Sequence, residues 1–348
     1  MLKTTVAAIC TTLLASSALL HASETKPTLR RFEKSQVHMG TSFKIVFYAR
    51  SATAANNGFK AAFGRIRQID QRLSNYKDNS ELTRLGRTAP HPSTVAISED
   101  FWVLLKAAKH WHTKTGGAFD ITIGPITQLW RRARRQKKLP QPARLRAARE
   151  LVDSKLVVVD AKKPKTRLLR RNMRLDPGGI AKGYACDAAL AALASQSITR
   201  ALINGGGDIS IGDPPPGKTG WLVSIGGLTR KNKARIKVRL ANCAVATSGD
   251  LYQSVVINNK RYSHIVDPRT GIGLTKRISV CVIAPNGMTA DALASALSVM
   301  GRQRGMALVQ KLSRIDALIV VADDNSVTTS QSPGFGNAGR TKEASNVD

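Results

Sequence analysis

Ten consecutive residues, Tyr262-Ser263-His264-Ile265-Val266-Asp267-Pro268-Arg269-Thr270-Gly271, hold a titratable imidazole, a carboxylate, a guanidinium and two aliphatic hydroxyls. Pro268 fixes its own φ and lacks a donor, and Gly271 accepts positive φ. The second half of the stretch is therefore predicted to be a tight turn, after a short strand over 261–266. A rigid turn of this kind can present His264 as a general base. A solvated Asx-type turn accounts for the same ten residues equally well.

A second stretch runs from Asp176-Pro177-Gly178-Gly179 through Ile180-Ala181-Lys182-Gly183-Tyr184 to Asp187. A Gly-Gly turn opening a helix exposes backbone N–H groups and the positive end of the helix dipole, which suits a phosphate. Lys182 falls in the first turn, where a cation is disfavoured unless it faces an anion. That conflict between local preference and sequence argues mildly for function; a plain turn with a solvated Lys is the alternative. The spacing is not that of a Walker A loop. Asp291 and Ser295 stand at i and i+4 on a predicted helix, one above the other. Carboxylate and hydroxyl oxygens on one face suit Mg²⁺, which takes few protein ligands and keeps substrate oxygens. Taken alone, an Asp complementing the dipole and a back-bonded Ser explain the pair better. Gly205-Gly206-Gly207-Asp208 is either a ligand approach or a glycine hairpin, and Thr247-Ser248-Gly249-Asp250 either a hydroxyl source for phosphate or a turn. His110 and His112 are two apart on a helix, so they do not share a face and make a poor metal pair.

These groups need elements to hold them. Apolar residues at Phe59, Ala62, Phe63, Ile66, Ile69 and Leu73 follow helical spacing. Ser98, followed by Glu99 and Asp100, caps a helix running to about Thr115. Further helices are predicted over 80–85, 140–151 and 180–195, over 290–300 with Thr289 as cap, and over 307–312. Strands are predicted over 37–48, 156–159, 201–204, 209–211, 221–225, 234–240, 278–284 and 317–321. Residues 24–31 read as a polar lead-in. Helices interleaved with mostly antiparallel strands, without a break, give one α+β domain over residues 24–328. Residues 329–348 are rich in Ser, Gly, Asn and Thr and are expected to be a disordered tail.

The 348 residues carry 54 Lys+Arg against 23 Asp+Glu, a net charge of +31, with an ordinary 42% hydrophobic content. Three basic runs stand out, over 131–138, 162–171 and 230–239. No aromatic residues interleave with them, so a nucleic-acid site is disfavoured and a generally basic surface favoured. A peripheral contact with an acidic membrane or protein is compatible with this charge. Residues 1–23 read as a secretory signal, with Lys3, an apolar run and small residues at Ala22 and Ser23. Cys10 is too early for a lipid-attachment site, so an exported protein without a lipid anchor is expected. Cys186, Cys243 and Cys281 form no Cys-x-x-Cys pair and read as buried, unpaired thiols.

In order along the chain, the segments Met39-Gly-Thr, Leu73-Ser-Asn-Tyr76, Gly117-Ala-Phe-Asp-Ile-Thr-Ile-Gly-Pro125, Gly178-Gly-Ile-Ala-Lys-Gly-Tyr184, Asn204-Gly-Gly-Gly-Asp208, Ala246-Thr-Ser-Gly-Asp250, Tyr262 to Gly271 and Ala290-Asp-Ala-Leu-Ala-Ser295 resemble the ApbE-like FAD:protein FMN transferases. Each is unspecific by itself; eight in order are specific. The resemblance implies a single α+β domain, export, FAD as substrate and Mg²⁺ as the metal. It also implies transfer of FMN from FAD to a Thr or Ser hydroxyl of an acceptor flavoprotein in a membrane or periplasmic redox complex, with release of AMP. By the same resemblance, FAD contacts fall on Met39, Tyr76, Ala118, Phe119, Asp120, Asp176, Lys182 and the His264-Ile265 region. Metal ligands fall on the Gly179 carbonyl, Asp291 and Ser295. His264 is the candidate base, Lys182 the cation facing the pyrophosphate, and Tyr76 a platform for adenine. Ser295 stands where the family usually has Thr, Gly179 where Ala is common, and the lipid-attachment Cys is missing. An Mg²⁺-dependent FAD pyrophosphatase and a non-enzymatic exported flavin-binding protein are the competing readings.

Overall fold

A computed structural model describes residues 28–225, 236–249, 254–322 and 326–337. The expected signal segment lies outside these residues.

The described chain opens with a hairpin, β1 (Arg30–His38) and β2 (Thr41–Ala49), turning at Met39-Gly40, which both take positive φ. The expectation had one strand here; β1 is a largely exposed edge strand with little apolar alternation to announce it. Ser51 Oγ accepts from Ala54 N at 3.1 Å and caps α1 (Ala52–Leu73), whose predicted apolar stripe is buried. Ser80 caps α2 (Glu81–Arg87). The short β3 (Val95–Ala96) precedes α3 (Glu99–Lys114), which Ser98 caps as predicted. A 3₁₀ turn at Ile121–Ile123 leads into α4 (Gly124–Gln136) and α5 (Pro142–Arg149). The strands β4 (Val157–Val159) and β5 (Lys165–Leu168) join β3 in a small three-stranded sheet.

Next come α6 (Ala181–Ala194), β6 (Ala201–Gly205), β7 (Asp208–Ile211), β8 (Trp221–Ile225), β9 (Ile236–Leu240) and β10 (Cys243–Gly249). Thr247 to Gly249 are thus strand rather than turn, and Asp250 lies outside the described residues. The hairpin β11 (Ser254–Ile257) and β12 (Lys260–Ser263) carries the first of the chemical stretches. It is followed by β13 (Arg277–Ala284), α7 (Gly287–Val309), β14 (Asp316–Ala322), β15 (Val327–Gln331) and α8 (Pro333–Asn337). Asn286, not Thr289, caps α7, accepting from Thr289 N at 2.8 Å, and the helix is broken at Gly301.

The main sheet has eight strands in the order β1-β2-β6-β7-β10-β13-β14-β15, every neighbour antiparallel. The expected tail is corrected here for residues 329–337. Polar though it is, β15 pairs along β14, and Phe335 of α8 is fully buried. Its order comes from main-chain pairing and one apolar anchor, neither of which composition records.

Both faces of the sheet are covered. Phe43, Ile45 and Phe47 of β2 and Val280 and Val282 of β13 point into the layer of α1, α6 and α7. Val46, Val245, Cys281 and Ile283 point the other way, under the β8–β9 ribbon and Phe335. Two buried faces explain why these strands read as nearly continuous apolar runs. Each fully buried Phe or Ile contributes roughly 1.5–3 kcal/mol.

Asp100, in the first turn of α3, ties three helices together. It accepts from Arg65 (2.8 Å to Nη1) and Arg72 (2.5 Å) of α1 and from Tyr184 Oη of α6 (2.6 Å). Burial alone would raise this carboxyl, yet the bonds from Arg65, Tyr184 and Arg72 hold it down at about 2. Where α6 crosses α7 the contact is closer still. A Cβ on Gly183 would lie 2.0 Å from the Gly287 carbonyl oxygen, so only glycine fits.

Candidate active site

The α6–α7 crossing sets the geometry of one charged cluster. Lys182, one residue before Gly183, forms an ion pair with Asp208 at the start of β7, and its Nζ lies 3.7 Å from Asp291 Oδ2 on α7. The same Asp291 oxygen accepts from Gly183 N at 3.2 Å. Asp208 and Asp291 are almost wholly buried. Burial would lower the Lys182 pKa, but the two carboxylates outweigh it and hold the ammonium charged, above the ordinary lysine value. Asp291 goes the other way: burial and the Asp208 charge push it up to about 7, against Lys182 and the Gly183 N–H. Two carboxylates face one ammonium, so the cluster carries an excess of negative charge that a further cation would balance.

Gly179 and Ser295 adjoin this cluster. A Cβ on Gly179 would lie 2.7 Å from Ser295 Oγ and 3.5 Å from the Phe119 ring. The backbone of Gly179 thus lies beside the Ser295 hydroxyl, and Asp291 stands one helical turn before Ser295 on α7. All three are oxygen donors, a hard set that fits Mg²⁺. Among the described residues no three His, Cys, Asp or Glu side chains gather as a metal site. A cation here would lean on this mixed set and on substrate oxygens.

Around Asp176 lies a second group. Asp176 Oδ1 accepts from Asn75 Nδ2 (2.8 Å) and Gly178 N (3.0 Å), and Oδ2 from Thr127 Oγ1 (2.6 Å) and Arg131 Nη2 (3.1 Å). Its carboxylate therefore knots loop 74–76, α4 and the glycine turn together. The Arg131 guanidinium also lies over the Tyr76 ring, 4.3 Å from its centroid, while Tyr76 remains 77% exposed. An exposed aromatic face already backed by Arg is a ready stacking surface. Asp120 has a similar local role: it accepts from Thr122 N (2.8 Å) and Thr122 Oγ1 (2.6 Å) and lies 3.1 Å from His112 Nδ1. The Asp120 contact raises the His112 pKa despite burial. Ala118 and Phe119 are core residues, so that segment offers only main chain or a ring edge to its surroundings. Met39 sits at the β1–β2 turn, next to the Gly206 turn: a Cβ on Gly206 would lie 2.5 Å from Thr41 Oγ1. That turn leads directly into Asp208.

The third group is the His264 stretch. β12 ends at Ser263, two residues after the expected strand begins. Ser263 N donates to Leu274 O (2.7 Å) and Leu274 N to Ile265 O (2.9 Å), so the residues on both sides of the half-buried His264 are pinned. The predicted tight turn is present. Gly271 N donates to Asp267 O (2.8 Å) with Gly271 at φ 73°, and Arg269 Nη2 pairs with Asp267 (2.7 Å). α4 links this turn to the Asp176 group. Trp130 Nε1 donates to Gly271 O at 2.8 Å and its ring lies 5.2 Å from that of Tyr262, while the next residue, Arg131, holds Asp176.

Residues 39–319 match the ApbE family. The chain belongs to that family. Every candidate residue, from Met39 to Ser295, falls inside the ApbE span. An FAD:protein FMN transferase of Haemophilus influenzae is 28% identical over 315 residues, 88% of this chain and 90% of that one. One from Treponema pallidum is 29% identical over 313 residues, 85% and 86% of the two chains. Among solved ApbE structures, the flavin transferase ApbE of Vibrio cholerae superposes with a TM-score of 0.78 at 27% identity, over 89% of this chain and all of that one. The apbe protein of Thermotoga maritima gives the same score at 28% identity.

Sequence reasoning missed Asp208 as the partner of Lys182, and it missed Asn75, Thr127, Arg131 and His112. Asp208 had a signal: the unplaced charge of Lys182 requires a carboxylate, and the acid after three glycines was available.

Proposed function

We propose that this chain is an Mg²⁺-dependent FAD:protein FMN transferase, moving FMN from FAD to a Thr or Ser hydroxyl of an acceptor flavoprotein and releasing AMP. The observation that supports the reading is the Lys182, Asp208 and Asp291 cluster at the α6–α7 crossing, with Gly179 against Ser295 nearby in the chain, in a member of a family whose curated relatives bear that name. Export of the chain to the acceptor's compartment is part of the proposal, on the signal-like residues 1–23.

Phosphoryl transfer requires positioning and charge neutralisation more than covalent help from the protein. Tyr76, backed by Arg131, would stack the adenine, and the Met39 turn and the 118–120 segment would bound the nucleotide. Lys182 stays cationic throughout, because Asp208 and Asp291 hold its proton; it acts as a fixed positive charge toward the pyrophosphate and not as a base. A bound Mg²⁺, on Asp291, Ser295 and the Gly179 carbonyl, would supply the remaining neutralisation of the pyrophosphate oxygens. His264, oriented by the paired residues around it, takes the acceptor hydroxyl proton. The hydroxyl oxygen bonds to the phosphorus of the FMN half as the bond to the AMP phosphate breaks, and AMP leaves.

The test is incubation of the purified chain with FAD, Mg²⁺ and an acceptor. A mass gain of one FMN on the acceptor is expected, with AMP release dependent on acceptor and labelling abolished by EDTA. Labelling undiminished in EDTA would remove the metal, and AMP release without acceptor would make the chain a pyrophosphatase.

A further inference from the structure

From residue 121 to residue 149 the sequence contains no Asp or Glu and nine Lys or Arg. The structure folds this stretch into the α4–α5 helical hairpin. Its apolar side, Ile126, Trp130, Ala133 and Ala148 with Leu145, is buried against the β11–β12 hairpin. The cations are left outside. Arg131 is spent on Asp176. The other eight, Arg132, Arg134, Arg135, Lys137, Lys138, Arg144, Arg146 and Arg149, have no carboxylate partner among the described residues; Arg132 bonds Gln136, and Arg149 the Arg269 carbonyl. At the tip, where Lys137 closes α4 in a left-handed conformation, Leu139 is 43% exposed.

Eight like charges within eighteen residues repel one another, and no ion pair among the described residues offsets them. An anionic surface would. We propose that the α4–α5 hairpin docks this protein onto a membrane of anionic phospholipid, with Leu139 dipping into the headgroup layer. The observations favour lipid over an acidic polypeptide because the patch pairs a spread of long-stemmed cations with an apolar apex, the composition of interfacial helices. Among the described residues no helix is long and apolar enough to cross a membrane. Through Trp130 and Arg131 the hairpin also contacts the His264 turn and the Asp176 knot. The docking does not rest on the FMN-transfer reading.

Vesicle sedimentation tests it with the full chain. Binding is expected to vesicles containing phosphatidylglycerol and not to phosphatidylcholine alone, and to weaken steeply with salt. Each cation near an anionic leaflet strengthens binding about fivefold at low salt. Replacing the exposed Arg132, Arg135, Lys137 and Lys138 together by Gln should therefore weaken it by roughly a hundredfold or more. The Gln variant keeps helix propensity, so unchanged circular dichroism is expected, as is unchanged labelling of a soluble acceptor. Leu139→Ser should weaken vesicle binding without altering its salt dependence. Equal binding to both vesicle types, or wild-type binding by the Gln variant, would overturn the proposal. So would capture by polyglutamate or nucleic acid with no vesicle binding, which would give the face to another class of partner.

Discussion

Asp100 and Asp291 are both buried aspartates facing cations, and their surroundings are unbalanced in opposite directions. Asp100 has two guanidiniums and a phenol for a single carboxylate, and its carboxyl is held at about 2. Asp291 shares one ammonium with Asp208, and its carboxyl is pushed up to about 7. A carboxylate supplied with surplus positive charge is a fastening: it stays ionised and needs nothing more. A carboxylate in deficit is held in an unfavourable state by the fold, the condition expected where a charge is to be received. Sequence spacing alone does not tell these two residues apart, because the difference lies in partners far away along the chain, from Arg72, 28 residues before Asp100, to Gly183, 108 residues before Asp291.

That contrast should break cleanly under mutation. Asp291→Asn removes the deficit and one expected ligand. FMN transfer should fall by several kcal/mol of barrier, roughly a thousandfold, with melting temperature unchanged or raised. A loss of stability without loss of transfer would erase the distinction. His264→Ala should slow transfer by roughly 10²–10⁴-fold and leave FAD binding, followed by flavin fluorescence, intact. If transfer is unaffected, the turn loses its role as base.

Asp100→Asn should do the reverse. Transfer per folded molecule should persist, while stability falls by about 2 kcal/mol or less, Arg65 and Arg72 being partly in solvent. The folded carboxyl is depressed, so its contribution is fully present above the ordinary value of 3.8. It is lost as pH falls from there toward 2. Acid titration of unfolding in wild type and Asp100→Asn should therefore diverge above that window and converge below it; parallel curves would contradict the assignment. The smallest effect belongs to Gly179→Ala. Its methyl would press on Ser295 Oγ, and the serine must shift to admit it. The Mg²⁺ concentration needed for half-maximal labelling should rise modestly, with maximal rate preserved.

The parts of the molecule legible in the sequence were those written locally. Apolar spacing gave α1, Ser98 gave the start of α3, and Pro268 with Gly271 gave the turn at 267–271. The ApbE segments marked the candidate site residues, and of these Lys182 on α6 lies 3.7 Å from Asp291 on α7. What was not legible depended on distance along the chain. β1 and β15 are strands because β2 and β14 offer their edges, not because Arg30–His38 or Val327–Gln331 are apolar. Asp176 reads as a turn residue, yet four donors from 74–76, α4 and Gly178 make it a knot. The pairing of Lys182 with Asp208 needed β6 and β7 to fold back beside α6.

The contact of Gly183 with Gly287 has a mechanical meaning. With 2.0 Å between a hypothetical methyl and the opposing carbonyl oxygen, α6 and α7 have no room to roll or slide over one another. The crossing is a weld, and the separation of Lys182 from Asp291 is fixed by it. The charged cluster is thus built on the most rigid contact of the helical layer, so its geometry is inherited from the fold and not from a loop.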